Sequence, residues 1–83
     1  MKIEDVMDRV TAFLHDEFSE PVGDVSVITS LVDDLHFEDL TFVEMVLWAE
    51  DEFDLEISDE DLQAWKTVGD VVTYLVRRTG GPS

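Results

Sequence analysis

The segment from residue 39 to residue 53 has the strongest helical pattern in the chain, and its apolar residues fall on two stripes rather than one. The first stripe comprises Phe42, Val46, Ala49 and Phe53; the second comprises Leu40, Val43 and Leu47 and continues into Glu50, Asp51 and Asp54. A helix that is apolar on more than one face either lies at the centre of a core or presents one face to a partner, and both are expected here. The carboxylates of Glu38 and Asp39 suit the free amides and the positive dipole at its start.

Three other segments also have helical spacing. The first helix is predicted to end near Phe18 or Ser19, and it contains Ile3, Val6, Val10, Phe13, Leu14 and Phe18. A capping signal at Ser58 predicts a short helix that runs through residues 62–65. A second capping signal, at Thr67, predicts a last helix with Val68, Val71, Val72, Leu75 and Val76. Residues 20–37 are predicted to be a long loop whose apolar side chains, Val25, Val27, Ile28 and Leu31, pack inward.

The chain has 83 residues, which suffices for one domain with one core. We expect this domain to span residues 1–78. Gly80, Gly81 and Pro82 cannot extend a helix, so residues 79–83 are expected to form a flexible tail.

The formal net charge is −16, from 21 acidic and 5 basic residues. Such a charge repels nucleic acid and anionic membranes, and it attracts proteins that present basic patches. The N-terminal residues have no signal-peptide pattern, so a cytoplasmic protein is expected. We also expect it to be a monomer. The acidic residues lack the spacing of a calcium-binding loop, and no metal site is predicted.

The run from Ser30 to Met45 includes Asp33-Asp34-Leu35 and Glu38-Asp39-Leu40, followed by Val43-Glu44. It resembles the signature of acyl and peptidyl carrier proteins, in which an acidic approach precedes Asp-Ser-Leu and a helix containing Val-Glu. The resemblance continues through residues 50–53, 57–60 and 67–75, and so covers almost the whole chain. It implies an all-α fold: an acyl-carrier-like antiparallel four-helix bundle with three longer helices, one short helix and a long first loop.

In the resembled family, the serine of Asp-Ser-Leu receives 4′-phosphopantetheine, whose thiol carries the acyl or aminoacyl group. Asp39 stands at that position and has no hydroxyl to form the phosphodiester, so no cofactor is expected on it. A serine at position 39 would imply 4′-phosphopantetheine. The resemblance also implies that helix two and the preceding loop bind basic patches of partner enzymes, through Glu38, Leu40, Val43, Glu44, Leu47, Glu50 and Asp51.

Three explanations of Asp39 remain open. The natural protein has lost the arm and kept the fold, or a natural serine has been replaced by design, or another hydroxyl, on Thr41 or Ser30, is modified instead. The first explanation implies a noncatalytic module that docks on enzymes of acyl, polyketide or nonribosomal peptide biosynthesis. The second implies a genuine acyl or aminoacyl carrier in which aspartate has replaced the serine. An enzyme is not expected, because the motifs supply no nucleophile, base and oxyanion donor together.

Other departures from the family pattern are His36, where glycine is common, and Trp48, where a small residue is common. Neither is assigned a function. Five apolar residues are candidates for lining the cavity that holds acyl chains in the family, although plain core packing is the favoured prediction; they are Phe42, Val46, Phe53, Leu62 and Trp65.

Overall fold

The computed structural model describes residues 2–17 and 25–80, and its secondary structure is helical. The helices are α1 (Ile3–Glu17), α2 (Asp39–Phe53), α3 (Asp59–Gln63) and α4 (Val68–Arg78). The predicted bundle of three longer helices, one short helix and a long first loop is therefore confirmed. The predicted end of α1 at Phe18 or Ser19 and the tail residues 81–83 lie outside the described ranges. Within those ranges, no helix is long and apolar enough to cross a bilayer.

The core is centred on the packing of α4 against α1. Both helices contribute fully buried side chains: Val6, Val10 and Leu14 from α1, and Val68, Val71, Val72 and Leu75 from α4. Valine restricts its own rotamers in a helix, and its intrinsic preference is for strands. Burial of these side chains outweighs that preference, since each buried aliphatic side chain stabilises the fold by roughly 1.5–3 kcal/mol.

The first turn of α4 is held by a reciprocal capping box. The Asp70 backbone N–H donates to the Thr67 hydroxyl at 3.2 Å. The Asp70 carboxylate accepts from the backbone N–H groups of Lys66 and Thr67 at 2.9 and 3.0 Å. These backbone hydrogen bonds, first from Lys66 and then from Thr67, lower the pKa of Asp70 below its usual 3.8. The capping signal at Thr67 thus marks the start of α4 correctly.

A short backbone pairing joins the first loop to the segment that opens α4. Leu31 donates to the Lys66 carbonyl at 3.0 Å, Val68 donates to the Thr29 carbonyl at 2.9 Å, and Gly69 donates to the Val27 carbonyl at 2.9 Å. We call these three hydrogen bonds the loop–α4 pairing. It fixes the loop backbone on the outside of the core.

The prediction that the loop packs its apolar side chains inward is correct only in part. Leu31, Leu35 and Phe37 are buried, but Val27 and Ile28 are 51% and 82% exposed. The reason is the loop–α4 pairing, because a paired backbone fixes which side chains face the core and leaves the others facing solvent.

The end of the loop is a compact hydrogen-bonded turn. Ser30 donates its backbone N–H to the Asp34 carboxylate at 2.7 Å, and its hydroxyl accepts from the Asp33 N–H at 3.0 Å. His36 closes the turn with a φ of 56°, in the left-handed region. Glycine adopts this conformation without a Cβ penalty, which accounts for the glycine common at this position in the resembled family.

Two cationic side chains link helices at the surface. Arg9 of α1 forms an ion pair with Glu52 of α2 at 2.7 Å. Arg78 of α4 donates to the Tyr74 hydroxyl, which donates to the Asp61 carboxylate of α3 at 2.8 Å. Burial, and then the hydrogen bond to Asp61, raise the pKa of Tyr74 above its usual 10.0. These pairs connect the two peripheral helices, α2 and α3, to the α1–α4 core.

Replacing Gly69 with alanine tests the loop–α4 pairing. A Cβ at this position would lie 2.7 Å from the Val27 carbonyl oxygen, closer than packed atoms allow. Although alanine favours helices, we expect Gly69→Ala to lower the free energy of unfolding by about 1–2 kcal/mol, because the overpacking outweighs the propensity gain. Urea denaturation measures this, with Thr73→Ala, at an exposed α4 position, as the control. Equal stability of Gly69→Ala and the unaltered chain would contradict a tight pairing.

Replacing Asp70 with asparagine tests the capping box through its pH dependence. Because the folded protein holds the pKa of Asp70 below 3.8, the charged carboxylate stabilises the fold above that pH, and this contribution is lost as the pH falls below it. We therefore expect Asp70→Asn to have a lower Tm than the unaltered chain at neutral pH, and the difference to shrink in acid. Asp16→Asn, on the exposed face of α1, controls for the change in net charge. A difference that is independent of pH would argue against the capping role.

Candidate functional site

Asp39 is the first residue of α2 and is exposed. It follows Glu38, whose backbone is extended and whose carbonyl accepts from the Phe42 N–H at 3.0 Å. The prediction that the Glu38 carboxylate satisfies the free amides of α2 is wrong, because its side chain makes no capping hydrogen bond. Glutamate is not among the preferred N-cap residues, whose shorter side chains reach the amides more easily. Within residues 2–17 and 25–80, the Asp39 side chain has no hydrogen bond or ion pair either.

The outward stripe predicted for α2 is exposed. Leu40, Val43 and Leu47 are 66%, 49% and 60% exposed, large values for apolar side chains in a folded domain. We call these three residues the α2 stripe.

The inward side of α2 differs in detail from the prediction. Ala49 and Met45 are fully buried, whereas Phe42, Val46 and Phe53 are only partly buried. Met45 belongs to neither predicted stripe, although it lies four residues before Ala49 and therefore on the same face of the helix.

The acidic residues predicted to bind partners are in different environments. Asp51 is exposed, but Glu50 is half-buried and its carboxylate accepts from the Ile57 N–H at 2.9 Å. Glu50 therefore stabilises the connection between α2 and α3. Glu44 lies against Glu17 of α1, and the pKa of Glu17 is raised, first by a hydrogen bond between the two carboxyl groups, then by burial and by repulsion from Glu44. A carboxyl pair of this kind favours sharing one proton.

A cavity of about 790 Å³ opens beside Asp39. The first loop, the start of α2, α3 and the α3–α4 connection contribute its lining: Ser30, Val32, Asp33, Asp39, Phe42, Val43, Leu62, Gln63, Trp65, Lys66 and Thr67. Three of the five predicted residues, Phe42, Leu62 and Trp65, line this cavity; Trp65 belongs to the core, and Phe42 and Leu62 are partly buried and pack against it. These three residues therefore pack on the core on one side and border open space on the other.

Val46 and Phe53 do not line this cavity. Phe53 instead packs edge to face against Trp48, with ring centroids 5.7 Å apart, and Trp48 stacks on Phe13 of α1 at 4.8 Å. The bulky Trp48 thus fills the junction between α1 and α2, which accounts structurally for this departure from the family pattern.

Four residues that line the cavity are not indicated by the sequence pattern: Val32 and Asp33 of the first loop, Gln63 at the end of α3, and Lys66 of the α3–α4 connection. Val32 and Asp33 belong to the predicted loop and Lys66 to the predicted connection. No periodic signal places these segments beside each other, because the loop–α4 pairing joins residues more than thirty positions apart.

Comparisons with known proteins agree with this architecture. The chain is 36% identical to an acyl carrier protein from Enterococcus faecalis, with a TM-score of 0.77 and 93% of this chain and 98% of that chain covered. It is 33% identical to a putative acyl carrier protein from Mycobacterium tuberculosis, with a TM-score of 0.81 and with 88% of this chain and 97% of that chain covered. Residues 8–75 match the family described as phosphopantetheine attachment site. The chain therefore belongs to the phosphopantetheine attachment site family, with the fold of an acyl carrier protein.

Proposed function

We propose that this protein is a noncatalytic, acyl-carrier-like module that binds enzymes of acyl, polyketide or nonribosomal peptide biosynthesis. The observation that carries the proposal is the α2 stripe, in which three large apolar side chains are exposed directly after Asp39. An exposed apolar surface with carboxylates around it is typical of a protein-binding site.

The residue at the start of α2 does not fit the attachment of phosphopantetheine. By its resemblance to the family signature, Asp39 occupies the position of the modified serine, and a carboxylate lacks the hydroxyl that would form the phosphodiester. The Ser30 hydroxyl already accepts a hydrogen bond from the Asp33 backbone. Thr41 is half-buried two residues into α2, where its side chain points about 200° around the helix from that of Asp39.

The charge of the chain supports binding to basic surfaces. With 21 acidic and 5 basic residues, the protein attracts positively charged patches before contact. Glu44 and Asp51 lie on α2 among the exposed apolar residues, so a basic partner could pair with them while its apolar groups cover the α2 stripe. Glu50 contributes less in this proposal, because its carboxylate is already engaged by Ile57.

A second function is a genuine acyl or aminoacyl carrier with an aspartate in place of its serine. The match of residues 8–75 to the phosphopantetheine attachment site family favours it. In that case, 4′-phosphopantetheine would be attached to a serine at position 39.

Asp39→Ser separates the two functions. We expect the unaltered chain to gain no mass when incubated with coenzyme A and a broad-specificity phosphopantetheinyl transferase, because residue 39 has no hydroxyl. Intact-mass spectrometry of both proteins measures this. If Asp39→Ser gains the arm, the scaffold is a competent carrier blocked at one residue. If it does not, transferase recognition is also lost, which favours a dedicated binding module. A mass gain on the unaltered chain would overturn the assignment of position 39.

Charge reversal on α2 tests the docking surface. We expect the double variant Glu44→Lys and Asp51→Lys to weaken binding to the same transferase by up to about thirtyfold, since two partly exposed ion pairs contribute at most roughly 1 kcal/mol each, or about 2 kcal/mol together. Surface plasmon resonance measures the Kd, and circular dichroism checks the fold. The double variant Asp16→Lys and Asp59→Lys changes the net charge equally away from the α2 stripe. Equal loss of binding in both double variants would show only general charge attraction.

A further inference from the structure

A tight turn in the first loop holds two apolar side chains in solvent. In residues 26–29, the Thr29 N–H donates to the Ser26 carbonyl at 3.1 Å, and the Ser26 N–H donates to the Thr29 hydroxyl at 2.9 Å. The central positions are Val27 and Ile28, which are 51% and 82% exposed. Turns favour glycine, proline, asparagine, aspartate and serine at such positions. Neither the turn geometry nor the core therefore accounts for the apolar character of these two residues.

The turn borders an open apolar groove of about 280 Å³. Residues of α1, the turn and α4 line this groove: Ile3, Glu4, Met7, Asp8, Val27 and Val72. Val72 is fully buried, whereas Ile3 is 51% exposed. The volume is below the ~300–1,000 Å³ typical of small-molecule pockets, so the groove suits a side chain of a protein partner. We call the groove together with Val27 and Ile28 the turn–α1 surface; its elements are α1, the turn and α4, so it is separate from the α2 stripe.

The α1 side of this surface has an apolar row next to an acidic row. Ile3 and Met7 are four residues apart, and so are Glu4 and Asp8, which places each pair on one face of the helix and the two rows side by side. Glu4 and Asp8 are exposed, and neither carboxylate makes a hydrogen bond or an ion pair with any other described residue. A partner with basic groups beside an apolar row complements this pattern.

The charge of the chain decides between the possible occupants. A net charge of −16 makes a second copy of the chain repel the first, and it also repels an anionic membrane. A basic protein is attracted instead. The four-residue spacing of Glu4 and Asp8 matches Lys or Arg residues at the same spacing on a facing helix.

From these observations we propose that the turn–α1 surface binds a helix of another protein that carries an apolar row flanked by Lys or Arg at four-residue spacing. An apolar side chain of that helix enters the groove, its basic residues pair with Glu4 and Asp8, and Val27 and Ile28 pack against its apolar row. The two hydrogen bonds of the turn hold Val27 and Ile28 in place before binding, which reduces the entropy lost on association. This inference goes beyond the docking function, because it uses no residue of α2.

Backbone amide signals in NMR spectra locate the binding of such a helix. The probe is a synthetic helical peptide with leucines along one row and lysines at four-residue spacing along the next. We expect saturable shifts in residues 3–8 and 25–29. Shifts confined to residues 40–51, or no saturable shift at all, would overturn the proposal. Binding at the α2 stripe, which belongs to the docking function, is measured separately from residues 40–51 in the same spectra.

Two matched double variants test the apolar contact. Serine is common in turns, so Val27→Ser with Ile28→Ser should leave the fold unchanged, which circular dichroism checks. We expect this variant to raise the Kd measured at residues 3–8 about tenfold or more, since buried apolar anchors dominate binding energy. Val43→Ser with Leu47→Ser removes a similar exposed pair from the α2 stripe and should change that Kd less than about twofold. Equal effects of the two variants would overturn the assignment of the surface.

A second peptide, with glutamine in place of each lysine, tests the pairing with Glu4 and Asp8. We expect it to bind the turn–α1 surface at least about threefold more weakly than the lysine peptide, within the range for two exposed ion pairs. Glu4→Gln with Asp8→Asn should remove most of this difference. Asp16→Asn with Asp59→Asn changes the net charge equally and should retain it. A similar loss in both variants would show general charge attraction and would overturn the pairing.

Sedimentation velocity of the unaltered chain tests the alternative occupant, a second copy. We expect a monomer at the concentrations used for peptide binding, because like charges repel. A dimer that Val27→Ser with Ile28→Ser dissociates would assign the turn–α1 surface to self-association and overturn the basic helix as its partner.

Discussion

The packing of α4 against α1 is the interaction on which the rest of this structure depends. Seven fully buried side chains meet there: five are valines, and the other two are Leu14 and Leu75. Short side chains allow the two helices to approach closely. The first loop, α2 and the α3–α4 connection add further buried side chains to this core: Leu31, Leu35, Phe37, Met45, Ala49 and Trp65. Hydrogen bonds and aromatic contacts at their edges, such as the stacking of Trp48 on Phe13, also hold them.

The structure stabilises some of its many carboxylates with backbone N–H groups, since the chain has only five basic residues to pair with them. Asp70 and Asp34 are stabilised by backbone N–H groups, which supply partial positive charge without using one of the five basic residues. Arg9 and Arg78 lie at junctions between helices, where one cation stabilises two elements. Glu17 and Glu44 are an exception, because their proximity is unfavourable when both are charged.

The sequence predicted the helices well because their signals are local. Ser58 and Thr67 mark the starts of α3 and α4 through caps that reach only three residues, and the spacing of apolar residues defines α1 and α2. The orientation of Val27 and Ile28 could not be predicted, because it depends on a pairing with residues 66–69. The Glu50 carboxylate looks like a surface charge in the sequence, and only the return of the chain at Ile57 shows its structural role.

The loop–α4 pairing also determines how the cavity can change shape. The wall formed by Ser30 and the wall formed by Thr67 are joined by a backbone bridge, so they cannot separate without breaking hydrogen bonds. No backbone hydrogen bond joins α2 to α3 within the described residues. A molecule too large for the cavity of about 790 Å³ must therefore displace α2 or the five-residue α3. Val43 both lines the cavity and belongs to the α2 stripe. A displacement of α2 therefore changes the shape of the α2 stripe, so that a protein bound to the stripe would sense whether the cavity is occupied.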